Sequence, residues 1–219
     1  MTLLLAVTGV APAVGKSTLA RGLCDWLREV GLTVDHVEED ELLTRPGLAP
    51  IAREIAVQES VTVDTLVSTL AGFLSSSDND VVAMDALFPF VTLLSEWGYG
   101  EHRIAGFRAE AASRLTGIDV VVVYLDAHAG AALRHATDRE PAGWLEWYVE
   151  GLARTKTSPA YTEFEAAVDR LERERALTLR LVAQQPWELV VIANADKLSV
   201  EAVLDEARSG LEERGLVVR

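Results

Sequence analysis

Five apolar residues, Leu3-Leu4-Leu5-Ala6-Val7, run directly into Thr8-Gly9-Val10-Ala11-Pro12-Ala13-Val14-Gly15-Lys16-Ser17-Thr18, and that loop opens a segment with helical patterning. Strand, small-residue loop and helix in this order form a phosphate-binding unit. Small residues let several backbone N–H groups converge on one phosphate, and the helix behind them adds the positive end of its dipole. Lys16 then reaches the outer phosphates and Ser17 the Mg²⁺. Such a unit needs a buried strand in front and a packed helix behind, which directs the chain to an α/β fold. The spacing is irregular: five residues separate Gly9 from Gly15 where four are usual, and Val10 stands where glycine is expected. Gly9, Ala13, Val14, Gly15, Lys16, Ser17 and Thr18 are assigned to the cradle, with Gly15, Lys16 and Ser17 at its centre.

The rest of the chain alternates apolar runs with helix-length segments, the pattern of a parallel sheet covered on both faces. Strands are expected at 2–7, 32–37, 81–84, 119–125 and 188–193, giving a three-layer α/β fold with a five-stranded, mostly parallel sheet. The run Val120-Val121-Val122-Val123 is β-branched throughout, as a strand buried on both faces requires. A first helix over 15–30 carries Leu19, Leu23, Trp26, Leu27 and Val30 on one face. A last helix over 199–214 repeats the device with Val200, Val203, Leu204, Ala207 and Leu211, behind Ser199 as N-cap.

With 219 residues, 49% of them hydrophobic, the chain is read as a single domain over 1–219 with a small helical lid at approximately 134–158. The one cysteine, Cys24, sits on the apolar face of the first helix and reads as core. No leader pattern and no apolar run of about 18 residues occurs, so a cytoplasmic protein without membrane attachment is expected. A net charge of −14 opposes nucleic-acid and anionic-membrane partners. A homodimer through helices near 86–115 is expected from the excess of apolar residues there.

Ligands of open parallel sheets lie beyond the carboxyl ends of the strands, so the acids found there are informative. The second strand ends in Glu38-Glu39-Asp40-Glu41 and the third in Asp85. Phosphoryl transfer needs a lysine and Mg²⁺ to neutralise charge and a carboxylate to accept the proton of the attacking hydroxyl. Asp40 or a neighbour in the run is assigned as base, and Asp85, with Ser17, as the Mg²⁺-side residue. Arg134 and Arg139 are the arginines of the lid that would close over the phosphates, with Lys156 a lesser cation of the same kind.

An acceptor pocket is expected from the aromatic middle of the chain: Phe88, Phe90, Trp97, Tyr99, Trp144, Trp147 and Tyr148. Within that set the three-residue spacing of Trp144 and Trp147 points to core. The connector at 96–103 mixes glycines, aromatics and charges, which marks His102 and Arg103 as substrate contacts. Acids around the mouth favour a neutral or cationic hydroxylated acceptor. The remaining histidines lack metal-ligand spacing.

Ala13-Val14-Gly15-Lys16-Ser17-Thr18-Leu19-Ala20-Arg21 resembles the phosphate loops of P-loop small-molecule kinases, above all the pantothenate kinase, uridine kinase and phosphoribulokinase group. Asp40-Glu41-Leu42-Leu43 falls where those enzymes carry a substrate-facing aspartate, which is why Asp40 is preferred to Glu38 and Glu39. Val123-Tyr124-Leu125-Asp126, Ala132-Leu133-Arg134 and Asp138-Arg139-Glu140 resemble the strand, helix and lid of thymidylate and deoxynucleoside kinases. Val191-Ile192-Ala193-Asn194-Ala195-Asp196 resembles the loop those kinases wrap around adenine, which assigns Asn194 to the cofactor. The resemblance implies a P-loop NTPase fold and an ATP·Mg²⁺-dependent kinase acting on a hydroxyl of a nucleoside or natural-product-like metabolite. Asp85 is followed by Ala86-Leu87-Phe88 and not by the arginine of the nucleoside kinases. The longer loop is similar to that of dethiobiotin synthetase, so an ATP-dependent ligase stands as an alternative, beside a nucleotide-dependent switch ATPase.

Overall fold

The computed structural model describes residues 2–58, 60–85, 88–153 and 164–216. Five strands, β1 (Leu3–Gly9), β2 (Val34–Val37), β3 (Val81–Met84), β4 (Asp119–Leu125) and β5 (Glu188–Ile192), form one sheet in the order β2-β3-β1-β4-β5. Every neighbouring pair is parallel, so the mostly parallel expectation becomes a wholly parallel sheet. The strands are the five expected ones, with ends moved by a residue or two. The helices among the described residues are α1 (Lys16–Glu29), α2 (Ala49–Gln58), α3 (Val63–Ser75), α4 (Val91–Glu96), α5 (Glu101–Arg114), α6 (Ala129–Arg139), α7 (Trp144–Ala153), α8 (Phe164–Ala183) and α9 (Val200–Glu212). None of them is long and apolar enough to cross a membrane.

The period-two alternation of the strands divides the core. Leu4, Ala6, Val82, Met84, Val120 and Val122 face α3, α5 and the end of α8, while Leu5, Val7, Val81, Ala83, Val121 and Val123 face α1 and α9. Both faces are therefore buried, as the near-continuous β-branched runs require. α1 buries Leu19, Leu23, Cys24, Trp26 and Leu27 as its spacing predicts, but it ends at Glu29, and Val30 at its C-cap is 50% exposed. The Ser199 hydroxyl accepts the Ala202 N–H at 3.2 Å and caps α9. At the edge where the strands begin, Thr33 and Asp80 clasp the turns before β2 and β3: the Thr33 N–H and hydroxyl both donate to Asp80 Oδ2 at 2.9 Å.

A third apolar cluster lies beside the sheet, where Val10 and Ala11 pack with α6, α7 and α8. This is the expected lid region; its last residues, 154–158 with Lys156, lie outside the described residues, as does Ala86 at the start of the expected dimer face. Trp144 and Tyr148, one turn apart, stack at 5.1 Å and pack on this cluster. Trp147, expected in the core, is 65% exposed. The reason is that α7 buries a single stripe, which already contains Trp144 and Tyr148.

Candidate functional site

The phosphate loop leaves β1 between the central strands. Val10 N–H donates to the Leu125 carbonyl at 3.3 Å, and the irregular spacing is absorbed by turning Val10 and Ala11 inward against Ala129, Ala132, Leu133 and Leu171. Val10 is thus core, not cradle. Gly9 is required by close approach, because a Cβ there would stand 2.7 Å from Val14 Cγ1 and 3.0 Å from the Leu125 oxygen. Ala13 (φ 60°) and Gly15 (φ 102°) adopt left-handed conformations, so the chain coils back on itself before α1. Among the described residues no backbone carbonyl accepts from the N–H groups of residues 13–18. Unpaired donors at a helix N-terminus form an anion site.

Lys16 Nζ donates to the Ala11 carbonyl at 3.1 Å across the loop. Burial pulls its ammonium below the ordinary lysine value, while the charges of Glu39 and Asp85 push back up. Those two carboxylates therefore face the lysine from the ends of β2 and β3. Asp85 is 2% exposed, and its Oδ1 has no hydrogen-bond partner. A buried, unsatisfied carboxylate oxygen is costly unless a donor or cation meets it, so Asp85, like the Ser17 hydroxyl on the loop, offers the oxygen-donor chemistry of Mg²⁺.

The acidic run is resolved into separate duties. It folds as a short 3₁₀ turn, Glu39–Leu43, with Glu38 and Glu41 forming a reciprocal capping box. Glu41 Oε2 accepts the Glu38 N–H at 3.1 Å and lies 3.4 Å from Arg45 Nη2, whose other arm bonds Asp35 at 2.6 Å. Glu39 and Asp40 are both exposed, but Glu39 is the member of the run that lines the cleft beside the loop and Asp40 does not. The tight turn rotates successive side chains by about a third of a circle, which puts Glu39, and not the expected base Asp40, on the cleft wall.

Two hollows flank the loop. The first, of about 530 Å³, is lined by the loop with Arg21, Glu39, Thr92, Leu93, Arg139, Tyr148 and Leu171. The second, of about 340 Å³, runs along the other side, between Ala13, Val14, Gly15 and Thr18 and the Ala195–Leu198 stretch with the start of α9. Arg139 lines both, and its Nη2 rests 2.9 Å from Glu140 Oε1. Arg134, the other expected lid arginine, stacks on the Phe164 ring at 5.4 Å and lines neither hollow; its neighbour His135 lines the second. Asn194 (φ 54°) accepts from Lys197 Nζ at 3.3 Å and opens onto an adjoining crevice with Asp126 and Arg175, while Ala195 and Asp196 line the second hollow.

Most of the expected aromatic wall lies elsewhere. Phe88 meets Trp187 and Phe90 meets Phe107 in the core, and Trp97 and Tyr99 pack against it, Tyr99 donating to the Val61 carbonyl at 3.4 Å. His102 and Arg103 are exposed on the first turn of α5 and do not line the cleft. Tyr148 is the aromatic that does. Sequence reasoning missed the Arg170–Glu174 pair, buried at 2.9 Å in α8, and the Arg175–Asp126 pair that ties α8 to the end of β4. The i,i+4 spacing of the first was the available signal.

No family model matches the sequence, and no curated protein does. Among solved structures, the YorR protein of Bacillus subtilis, in complex with phosphorylated GDP, matches at a TM-score of 0.54 and 14% identity, over 96% of this chain and 98% of that one. The protein APE1195 matches at a TM-score of 0.49 and 17% identity, over 99% and 97%. The likeness to YorR shows the fold: a three-layer α/β arrangement around a five-stranded parallel sheet.

Proposed function

We propose that the protein transfers the terminal phosphoryl group of a nucleoside triphosphate to a hydroxyl of a small metabolite. The observation that carries this reading is the convergence of Lys16, Glu39 and Asp85 on one edge of the sheet, beside a cleft large enough for an acceptor. The loop amides and Lys16 would hold the phosphates, and Arg139, at the mouth of both hollows, would add guanidinium bonds to their oxygens. Mg²⁺, held by Ser17 and Asp85, would supply neutralisation of phosphate charge. Glu39 would accept the hydroxyl proton as the acceptor oxygen bonds phosphorus and the bond to the departing diphosphate breaks. Tyr148, Thr92 and Leu93 offer a half-apolar wall to a hydroxylated acceptor, and the surrounding acids favour one that is neutral or cationic. That YorR binds phosphorylated GDP on the same fold supports nucleotide binding here. The test is nucleoside diphosphate release on a panel of nucleosides, amino alcohols and polyols. Release that depends on one acceptor and vanishes in Lys16→Ala is expected; release needing bicarbonate or an amine would move the assignment to a ligase.

A further inference from the structure

The second hollow contains an acid that no neighbour uses. Its walls are mainly apolar, with Val14, Leu198, Val203 and Leu204 among them, and its volume of about 340 Å³ has room for a planar base. Asp196 lines this hollow, and among the described residues no hydrogen-bond or ion-pair partner engages its carboxylate. The nearby cations are occupied: Lys197 Nζ donates to Asn194 Oδ1 and Arg139 to Glu140 Oε1. The turn that carries Asp196 is pinned on both sides, because Ala195 N–H donates to the Asp126 carbonyl at 2.9 Å and Lys197 N–H to the Asn194 carbonyl at 2.8 Å. The backbone that carries Asp196 is therefore held in place, and the residue stands half-buried between this hollow and the adjoining crevice of Asp126 and Asn194.

An ionised carboxylate accepts hydrogens and donates none. Guanine turns two adjacent donors outward, N1–H and the 2-amino group, which match the two carboxylate oxygens as a parallel pair. The same edge of adenine presents the N1 lone pair, which faces a negative oxygen and leaves the carboxylate desolvated without compensation. We propose that the second hollow takes the base of the nucleotide and that Asp196 selects guanine, which makes the phosphoryl donor GTP in place of the ATP implied by the sequence resemblance. This rests on the nucleotide-binding reading above and adds the identity of the base.

Competition for a bound fluorescent GTP or ATP analogue, with the full chain and Mg²⁺, tests it. GTP is expected to bind at least about tenfold more tightly than ATP, with ITP, which lacks the 2-amino group, between them. In Asp196→Asn the amide offers one acceptor and one donor, the complement of xanthine N1–H and its 2-oxo group. That variant should lose about tenfold for GTP and gain about tenfold for XTP, an exchange that misfolding does not produce. ATP binding as well as GTP, or an unchanged order of nucleotides in Asp196→Asn, overturns the assignment while leaving nucleotide binding intact. Failure of both fluorescent analogues to bind overturns the nucleotide reading, and the base assignment with it.

Discussion

At the residue scale, two acids one position apart have different surroundings. Both are exposed, but Glu39 lines the cleft that holds Lys16 and Asp40 does not, so for the proposed reaction Glu39→Gln should lower the rate by about 10²-fold or more, and Asp40→Asn should leave it within a few-fold. Steady-state kinetics on the two variants decides it, and the reverse ranking would return the proton to Asp40. A second residue gives a prediction that needs no ligand. Cys24 is fully buried, and burial pushes its thiol up to about 11 from an ordinary 9. Its folded value is the higher one, so the stability it contributes is present below pH 9 and is lost as pH rises towards 11. Denaturant titrations across that window should show the native protein losing stability relative to Cys24→Ala, and native Cys24 should react with alkylating reagents far more slowly than in the unfolded chain.

At the element scale, the strands were legible because most are short apolar runs between turn residues, leucine-rich in β1 and β-branched in β4. Val120 to Val123 could be read as a central strand from residue type alone, and β4 does lie beside β1. Gly15, Lys16 and Ser17 lie at the turn into α1 where the sequence pattern puts a loop-to-helix junction, with Gly15 in the left-handed region. What could not be read was rotation. Whether Glu39 or Asp40 enters the cleft depends on a 3₁₀ turn fixed by Glu41 and Arg45, and whether Arg134 or His135 lines the second hollow depends on where Phe164 of α8 comes to rest. The aromatics misled because side chains of that size fill either a pocket or a core, and Phe88 and Phe90 fill the core. The loop makes its own prediction: Gly9→Ala forces a Cβ against Val14 and the Leu125 carbonyl, and should cost about 1–3 kcal/mol by thermal or chemical denaturation. A neutral result would mean that the loop moves aside easily.

At the scale of the whole molecule, the strand order brings Lys16, Glu39, Asp85 and Arg139 to one edge from widely separated parts of the chain. A ligand bridging them should therefore stabilise the fold as a unit. At a hundred times its dissociation constant a nucleotide would add about 2.7 kcal/mol, which for a chain of this length is about 5–10 °C in Tm. Differential scanning fluorimetry with and without Mg²⁺ should show that shift in the native protein and its loss in Lys16→Ala; an equal shift in both would move the binding site off the loop. The opposite edge of the sheet, closed by the Thr33–Asp80 clasp, contributes no residue to either hollow. That asymmetry gives the molecule a handle: fixed to a sensor chip or bead through a cysteine introduced near Asn79, the protein would offer both chambers to the passing solution, and Cys24, buried on the inner face of α1, would not compete for the coupling chemistry.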